Sequence, residues 1–156
     1  MSAAAYYLDT SVLVKRYVAE VGSEWVRALA DPTNDNLLLT SRLTIAEIRS
    51  ALARRRRETP ISDDDHMLLL NALASHALTQ YHLVELEAPV IELAGTLLDR
   101  HILRAYDAVQ LASALIIYQA LVAARLPPLL FVAADERLLT AAQAEGLPTD
   151  NPNLHP

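Results

Sequence analysis

The sequence lacks cysteine altogether and has only three glycines and one lysine among its 156 residues. The absence of cysteine excludes a disulfide framework, a zinc site built on thiolates and a cysteine nucleophile. The three glycines, Gly22, Gly95 and Gly146, are too few and too far apart to build a glycine-rich phosphate loop. Nucleotide binding of the Walker or Rossmann type is therefore excluded.

Positive charge is also scarce, since 13 basic residues stand against 19 acidic ones and the net charge is -6. The overall basic character that is typical of nucleic-acid-binding proteins is missing. Hydrophobic residues make up 53% of the chain and charged residues 21%, which excludes wholesale disorder. A length of 156 residues is typical of one domain with a substantial core.

Signals for export or membrane insertion are weak as well. Residues 1–7 carry no positive side chain, and the apolar stretch 108–124 is interrupted by Gln110, Ser113 and Gln119. That stretch lies at the lower edge of a spanning length, so it predicts a buried core helix. We expect a cytoplasmic protein that has no membrane partner.

Apolar runs alternate with helical patterns along the whole chain. Strands are predicted at residues 3–8, 37–40, 81–86, 129–133 and 147–149, and helices at 11–17, 23–29, 44–57, 63–79, 89–101, 105–124 and 136–145. This alternation indicates the α/β class, with a short, mostly parallel sheet flanked by helices. We expect a single domain over residues 1–150 and a C-terminal tail over 151–156, loose after Pro152.

Four acidic residues stand where α/β proteins build their sites. Asp9 and Asp135 follow predicted strands, and Glu47 and Asp107 lie near the starts of predicted helices. Ligands of open α/β sheets bind outside the carboxyl ends of the strands, so we expect the four carboxylates to converge there. The carboxylates would repel one another unless a cation joined them, and hard oxygen ligands select Mg²⁺ or Mn²⁺ over Zn²⁺.

Each of these acids also has a purely structural explanation. Asp9 and Asp135 suit helix N-caps, Thr44 and Glu47 have the spacing of a capping box, and the helix dipole favours Asp107 in a first turn. Taken singly, none of the four is specific for a site. Their combination in one short domain is the informative observation.

Four segments together resemble the motifs of PIN-domain nucleases. They are residues 7–15 (YLDTSVLVK), 41–47 (SRLTIAE), 104–114 (RAYDAVQLASA) and 131–138 (FVAADERL), and each contains one of the four acids. Their order and spacing match the family, so the resemblance covers nearly the whole chain. One departure is Ala133, where the family often has Thr or Ser, and a hydroxyl contact is not expected there.

The resemblance implies a single PIN-like domain of the VapC type, which is the toxin of a bacterial toxin–antitoxin pair. The implied activity is Mg²⁺- or Mn²⁺-dependent endonucleolytic cleavage of RNA, and the implied partners are an antitoxin protein and a second copy of the chain. As a hypothesis, Asp9 and Asp107 are the main metal ligands, Glu47 and Asp135 complete the catalytic site, and Ser11 hydrogen-bonds a carboxylate or the scissile phosphate.

Arginines cluster in the predicted helix at 44–57 and just before it. Arg42, Arg49 and the run Arg54, Arg55, Arg56 and Arg57 are candidates for contact with RNA phosphates or with an acidic antitoxin segment. A solvated helix end explains the run equally well. The apolar helices holding Trp25 and residues 68–73 are candidates for the surface of a dimer or of an antitoxin complex.

Other functions stay open at this point. The chain could be a housekeeping RNA-processing nuclease, or a PIN-like module that binds RNA or protein without cutting it. A phosphatase of the haloacid-dehalogenase type needs a second acid two residues after the first, and Ser11 occupies that position.

Overall fold

The computed structural model describes residues 3–156. Five strands form one sheet, namely β1 (Ala5–Leu8), β2 (Leu37–Ser41), β3 (Tyr81–Val84), β4 (Leu130–Val132) and β5 (Thr149–Asp150). Their order is β3-β2-β1-β4-β5, and every neighbouring pair is parallel. The predicted α/β class is confirmed. The order of the strands reverses at β1, so the switch point lies between β1 and β4.

Helices cover both faces of the sheet. They are α1 (Thr10–Leu13), α2 (Ser23–Leu29), α3 (Arg42–Glu58), α4 (Asp63–Thr79), α5 (Ala88–Arg100), α6 (Ala105–Ala123) and α7 (Glu136–Ala144). The first predicted helix is shorter than expected, because a 3₁₀ turn (Val14–Arg16) takes over after α1. The predicted bounds of α2 and α4 agree with the structure.

Two hydrophobic clusters fill the space between the sheet and the two helical layers. Tyr7 and Phe131 point into a cluster with α5, α6 and α7, whereas Leu8 and Val132 point into a cluster with α1, α2, α3 and α4. Consecutive strand residues face opposite sides of a sheet, so both faces of β1 and β4 are apolar. This is the pattern of a parallel sheet buried between two layers of helices.

Helix α6 is the apolar stretch that the sequence marks as a possible membrane span. By length and composition it qualifies as one, with a mean hydropathy of 1.3. Its residues 110–115 are nevertheless buried within the domain, against the sheet and α5. We therefore interpret α6 as the core helix that the sequence predicts.

The C-terminal residues differ from the expectation of a loose tail. Asn151 caps a 3₁₀ turn (Pro152–Leu154), and the ring of His155 stacks on Trp25 with 4.4 Å between the ring centroids. Gly22 explains part of this packing, because it has a φ of +84° and its Cα faces the carbonyl of Pro152 so closely that a Cβ would collide. The expected looseness is wrong; the domain boundary at residue 150 stays a prediction.

Candidate active site

The fold brings the four predicted acids to the carboxyl edge of the sheet. Asp9 directly follows β1, and Asp135 follows the neighbouring β4 as the N-cap of α7. Glu47 lies in the second turn of α3, which directly follows β2, and Asp107 lies in the first turn of α6. The acids therefore surround the switch point of the sheet, which is where open α/β folds bind their ligands.

Asp9 is the most buried of the four carboxylates, with 4% of its surface exposed. Its Oδ2 accepts hydrogen bonds from the backbone N–H of Ser11 at 3.1 Å and from the Ser11 hydroxyl at 2.6 Å. The same hydroxyl oxygen accepts the N–H of Ala134 at 3.0 Å. Ser11 thus holds Asp9 in place and ties the end of β1 to the end of β4. The predicted contact from Ser11 to a carboxylate is present.

The four carboxylates share one electrostatic environment. Burial raises the pKa of Asp9 to about 6, and the charges of Asp107 and Glu47 contribute to the rise while the Ser11 hydrogen bonds oppose it. Burial likewise raises the pKa of Asp107 to about 6, with contributions from the charges of Asp135 and Glu47. Each of the four acids is therefore coupled to at least one other, as expected of like charges gathered in one place.

Glu47 is held by a buried polar network that the sequence does not reveal. Its Oε1 accepts hydrogen bonds from the Thr10 hydroxyl at 2.9 Å and from the Gln110 side-chain amide at 3.0 Å. Gln110 is only 1% exposed, and its own Oε1 accepts the hydroxyl of Tyr7 at 2.8 Å. One amide therefore connects β1, α3 and α6 at the base of the site.

The capping-box explanation of Glu47 is wrong. Helix α3 begins earlier than predicted, and Ser41 is its N-cap, with its hydroxyl accepting the N–H of Leu43 at 3.1 Å. The Thr44 hydroxyl accepts a hydrogen bond from Gln110 at 2.8 Å instead. The structural role suggested for Asp135 holds, because its Oδ1 accepts the N–H of Leu138 at 3.0 Å. Asp9 and Asp135 thus act as caps and stand at the site as well.

The donor chemistry of the site fits a hard divalent cation. Four carboxylates supply oxygen ligands only, and within residues 3–156 the protein donates no hydrogen bond to Oδ1 of Asp9. As the side chains are arranged, no three Asp, Glu or His residues of this range stand close enough together to hold an ion. The residues suit the ion by the chemistry of their donor atoms.

A cavity of about 510 Å³ opens beside the carboxylates. Asp107 and Asp135 form one part of its wall, and Arg104 and Arg137 form another. Neither arginine was expected at the site from the sequence, although both lie inside the segments that resemble PIN-domain motifs. The polar residues Thr10 and Gln110 lie within the same segments and were missed as well. The position of these four residues within the motif segments could have pointed to the site, whereas their residue types alone could not.

The arginines of α3 lie elsewhere. Arg42 is paired with Glu85, and Arg56 with Asp63. The run that starts at Arg54 begins seven residues after Glu47, which is about 10 Å further along the helix axis. Arg49, Arg54 and Arg55 are exposed, like Arg57 at the end of the run. The structure does not bring this run together with the four acids.

A known protein family shares the part of the chain that holds the four carboxylates. The PIN domain family model matches residues 6–143, a range that contains all four carboxylates. The chain belongs to the PIN-domain family. The resemblance read from its motifs is confirmed, and the departure at Ala133 leaves the family assignment intact.

Curated relatives of this PIN domain carry the VapC name. Ribonuclease VapC45 and ribonuclease VapC49, from two strains of Mycobacterium tuberculosis, are each 37% identical over 144 residues, which is 90% of this chain and 90% of theirs. These relatives confirm the resemblance to the VapC type that the sequence predicts.

Solved structures show the same fold. A toxin–antitoxin complex from Klebsiella pneumoniae contains a chain that matches with a TM-score of 0.58 and 15% identity, covering 94% of this chain and 97% of that one. VapBC2 from Rickettsia felis, bound to a DNA fragment from its promoter, matches with a TM-score of 0.56 and 14% identity, covering 94% and 98%. At such identities the likeness concerns the fold alone.

Proposed function

We propose that this PIN domain is a metal-dependent endoribonuclease that acts as the toxin of a toxin–antitoxin pair. The observation that carries the proposal is that Asp9, Glu47, Asp107 and Asp135 lie around the switch point between β1 and β4 and that their charges are coupled. Relatives named ribonuclease VapC support the reaction class. The toxin–antitoxin complex among the structures of this fold is consistent with the biological role.

Each carboxylate has a distinct part in the proposed reaction. Asp9, fixed by Ser11, and Asp107 would be the main ligands of Mg²⁺ or Mn²⁺, and Glu47 and Asp135 would complete the site directly or through water. When bound, such an ion would lower the pKa of a water and polarise the phosphoryl oxygens. Glu47, oriented by Thr10 and Gln110, is placed to position the attacking water.

The products follow from the bonds made and broken. The water oxygen attacks the phosphorus in line, the bond from phosphorus to the 3′ oxygen breaks, and that oxygen takes up a proton. The water proton passes to a carboxylate of the site. Cleavage therefore leaves a 5′-phosphate on one fragment and a 3′-hydroxyl on the other.

The proposed protein partners are an antitoxin and a second copy of the chain. Helix α4 exposes apolar side chains that nothing in residues 3–156 covers, with Met67 at 51%, Leu68 at 66% and Leu78 at 87% exposure. Large exposed apolar residues on one helix are typical of an interaction surface. Trp25 is less available, because His155 stacks on it.

Cleavage of RNA by the purified chain tests the proposal. We would incubate total RNA with the wild type and with Asp9→Ala, in Mg²⁺, in Mn²⁺ and in EDTA, using protein freed of any co-purified antitoxin. Asp64→Asn is a matched control, because Asp64 is an exposed acid on α4. We expect cleavage only with a divalent ion, its loss in Asp9→Ala and its retention in Asp64→Asn. Equal cleavage by wild type and folded Asp9→Ala would contradict the proposal.

A further inference from the structure

The cavity beside the carboxylates adjoins a second one. The first, of about 510 Å³, and the second, of about 470 Å³, share Ile102, Leu103 and Arg137 in their walls. Because they share these wall residues, the two cavities adjoin, and together they extend from Asp107 and Asp135 along the connection between α5 and α6. From here on, the name exit groove means this pair of cavities.

We propose that the exit groove binds single-stranded RNA next to the scissile bond, with Arg104 and Arg137 as phosphate contacts and Tyr106 as a base-stacking platform. The inference rests on the proposed nuclease function and adds the place where the substrate lies. It replaces the arginine run of α3 as the principal RNA contact.

Charge is the first argument for the exit groove. Arg104 and Arg137 line the same cavity as Asp107 and Asp135, yet within residues 3–156 neither arginine has a carboxylate oxygen within 4 Å. Neither guanidinium group is neutralised by an ion pair, and Arg104, which gives one hydrogen bond to Tyr106, keeps further N–H donors for an anion. An acidic centre repels a polyanion, and two cations on its rim would hold the flanking phosphates.

An aromatic surface is the second argument. The side chain of Tyr106 is 40% exposed, and its hydroxyl accepts a hydrogen bond from Arg104 at 2.7 Å. The Arg104 guanidinium lies 6.0 Å from the centre of the Tyr106 ring. Ile102, which lines both cavities, is 89% exposed. Tyr106 does not line either cavity; its contact with Arg104 places the ring beside the groove. Proteins hold single strands regardless of sequence by combining cations that contact the backbone with aromatic rings on which bases stack.

The competing surface on α3 is less suitable. Arg42 and Arg56 are already paired with acids, and the run from Arg54 lies about 10 Å along the helix from Glu47. In the second cavity Arg100 approaches Glu145 at 3.4 Å, so that end of the groove carries less free charge. Free positive charge next to the carboxylates is therefore concentrated at Arg104 and Arg137.

Fluorescence anisotropy with a labelled single-stranded RNA in EDTA tests the assignment, because EDTA prevents cleavage during the titration. We would compare the wild type with Arg104→Ala, Arg137→Ala and the double variant at several salt concentrations. Each lost phosphate contact is expected to weaken binding and to reduce the salt slope by about 0.7. Arg55→Ala, an exposed arginine of the α3 run, is the matched control and should bind like the wild type.

Tyrosine variants test the stacking platform separately. Tyr106→Ala should weaken binding about fivefold or more without changing the salt slope, since base stacking involves no counterion. Tyr106→Phe keeps the ring and should bind almost as the wild type does.

The outcomes separate the exit groove from the nuclease function. If the wild type cleaves RNA but the double variant keeps the salt slope of the wild type, RNA binding in the exit groove is refuted and the nuclease function is not. That result would favour a protein partner as the occupant of the exit groove. If Arg55→Ala reduced the salt slope instead, the RNA contact would lie on α3 and the proposal for the exit groove would be wrong. Absence of both RNA binding and cleavage in the wild type would overturn the nuclease function and the groove with it.

Discussion

Replacing Asp9 by Asn should make the ion-free protein more stable at neutral pH. Asp9 is 4% exposed, and burial raises its pKa from 3.8 to about 6. Asn has the same shape, carries no charge, and can accept both hydrogen bonds from Ser11 through its oxygen. The variant therefore keeps the local contacts and removes the cost of a buried negative charge.

The magnitude and sign follow from proton linkage. A rise of about 2 pKa units corresponds to about 3 kcal/mol. Because the folded pKa lies above the unfolded one, the folded chain binds more protons between pH 3.8 and about 6, and stability falls as pH rises through that window. At pH 7.5 Asp9→Asn should be more stable by up to about 3 kcal/mol, and at pH 4 by less than about 1 kcal/mol.

Thermal unfolding in EDTA measures this difference. For a chain of this size, about 3 kcal/mol corresponds to a Tm increase of about 6 to 12 °C at pH 7.5. Asp64→Asn, on an exposed surface, should leave the Tm almost unchanged at both pH values. A Tm of Asp9→Asn equal to or below that of the wild type at pH 7.5 would refute the reasoning, since the buried charge would then cost nothing.

Further predictions concern the network, the ion and the packing. Gln110→Leu should lower the free energy of unfolding by about 2 kcal/mol or more, because Tyr7 and Glu47 lose a buried partner; urea unfolding with a loss below about 0.5 kcal/mol would contradict this. Calorimetry should show Mn²⁺ binding that strengthens from pH 5 to 7.5, because carboxylate ligands must be deprotonated; affinity independent of pH would count against it. Gly22→Ala should destabilise the fold by about 1 to 3 kcal/mol, whereas Gly95→Ala, with no atom near its Cβ, should be neutral or stabilising. Light scattering should give a dimer mass, and a monomer at high concentration would contradict the homodimer.

The fold could be predicted from the sequence because its signals are local. Apolar runs and helix caps such as Ser62 and Asp135 depend on neighbouring residues, and the structure agrees with the elements they predict. The start of α3 was missed because Ser41 and Thr44 both suit an N-cap. In the structure Ser41 caps the helix, and the Thr44 hydroxyl is engaged by Thr40 and by Gln110 from α6.

The site was less predictable, because the contacts that support Glu47 come from residues far away in the sequence. Acids that follow strands could be placed from topology alone. The support that Gln110 gives to Glu47 joins residues 63 positions apart, and no local pattern shows it. The arginine run of α3 stands out in the sequence, yet it lies about 10 Å along the helix axis from Glu47. Arg137, a single residue in α7, lines the same cavity as two of them.

The chemical ends of the RNA fragments test the central claim most directly. If the four carboxylates form a metal-dependent hydrolytic centre, one labelled RNA cut in Mg²⁺ should yield only 5′-phosphate and 3′-hydroxyl ends, and neither Asp107→Asn nor EDTA should leave any cleavage. Fragments ending in a 2′,3′-cyclic phosphate, or cleavage that persists in EDTA, would show that the RNA 2′-hydroxyl is the nucleophile or that no ion is needed, and would contradict the account.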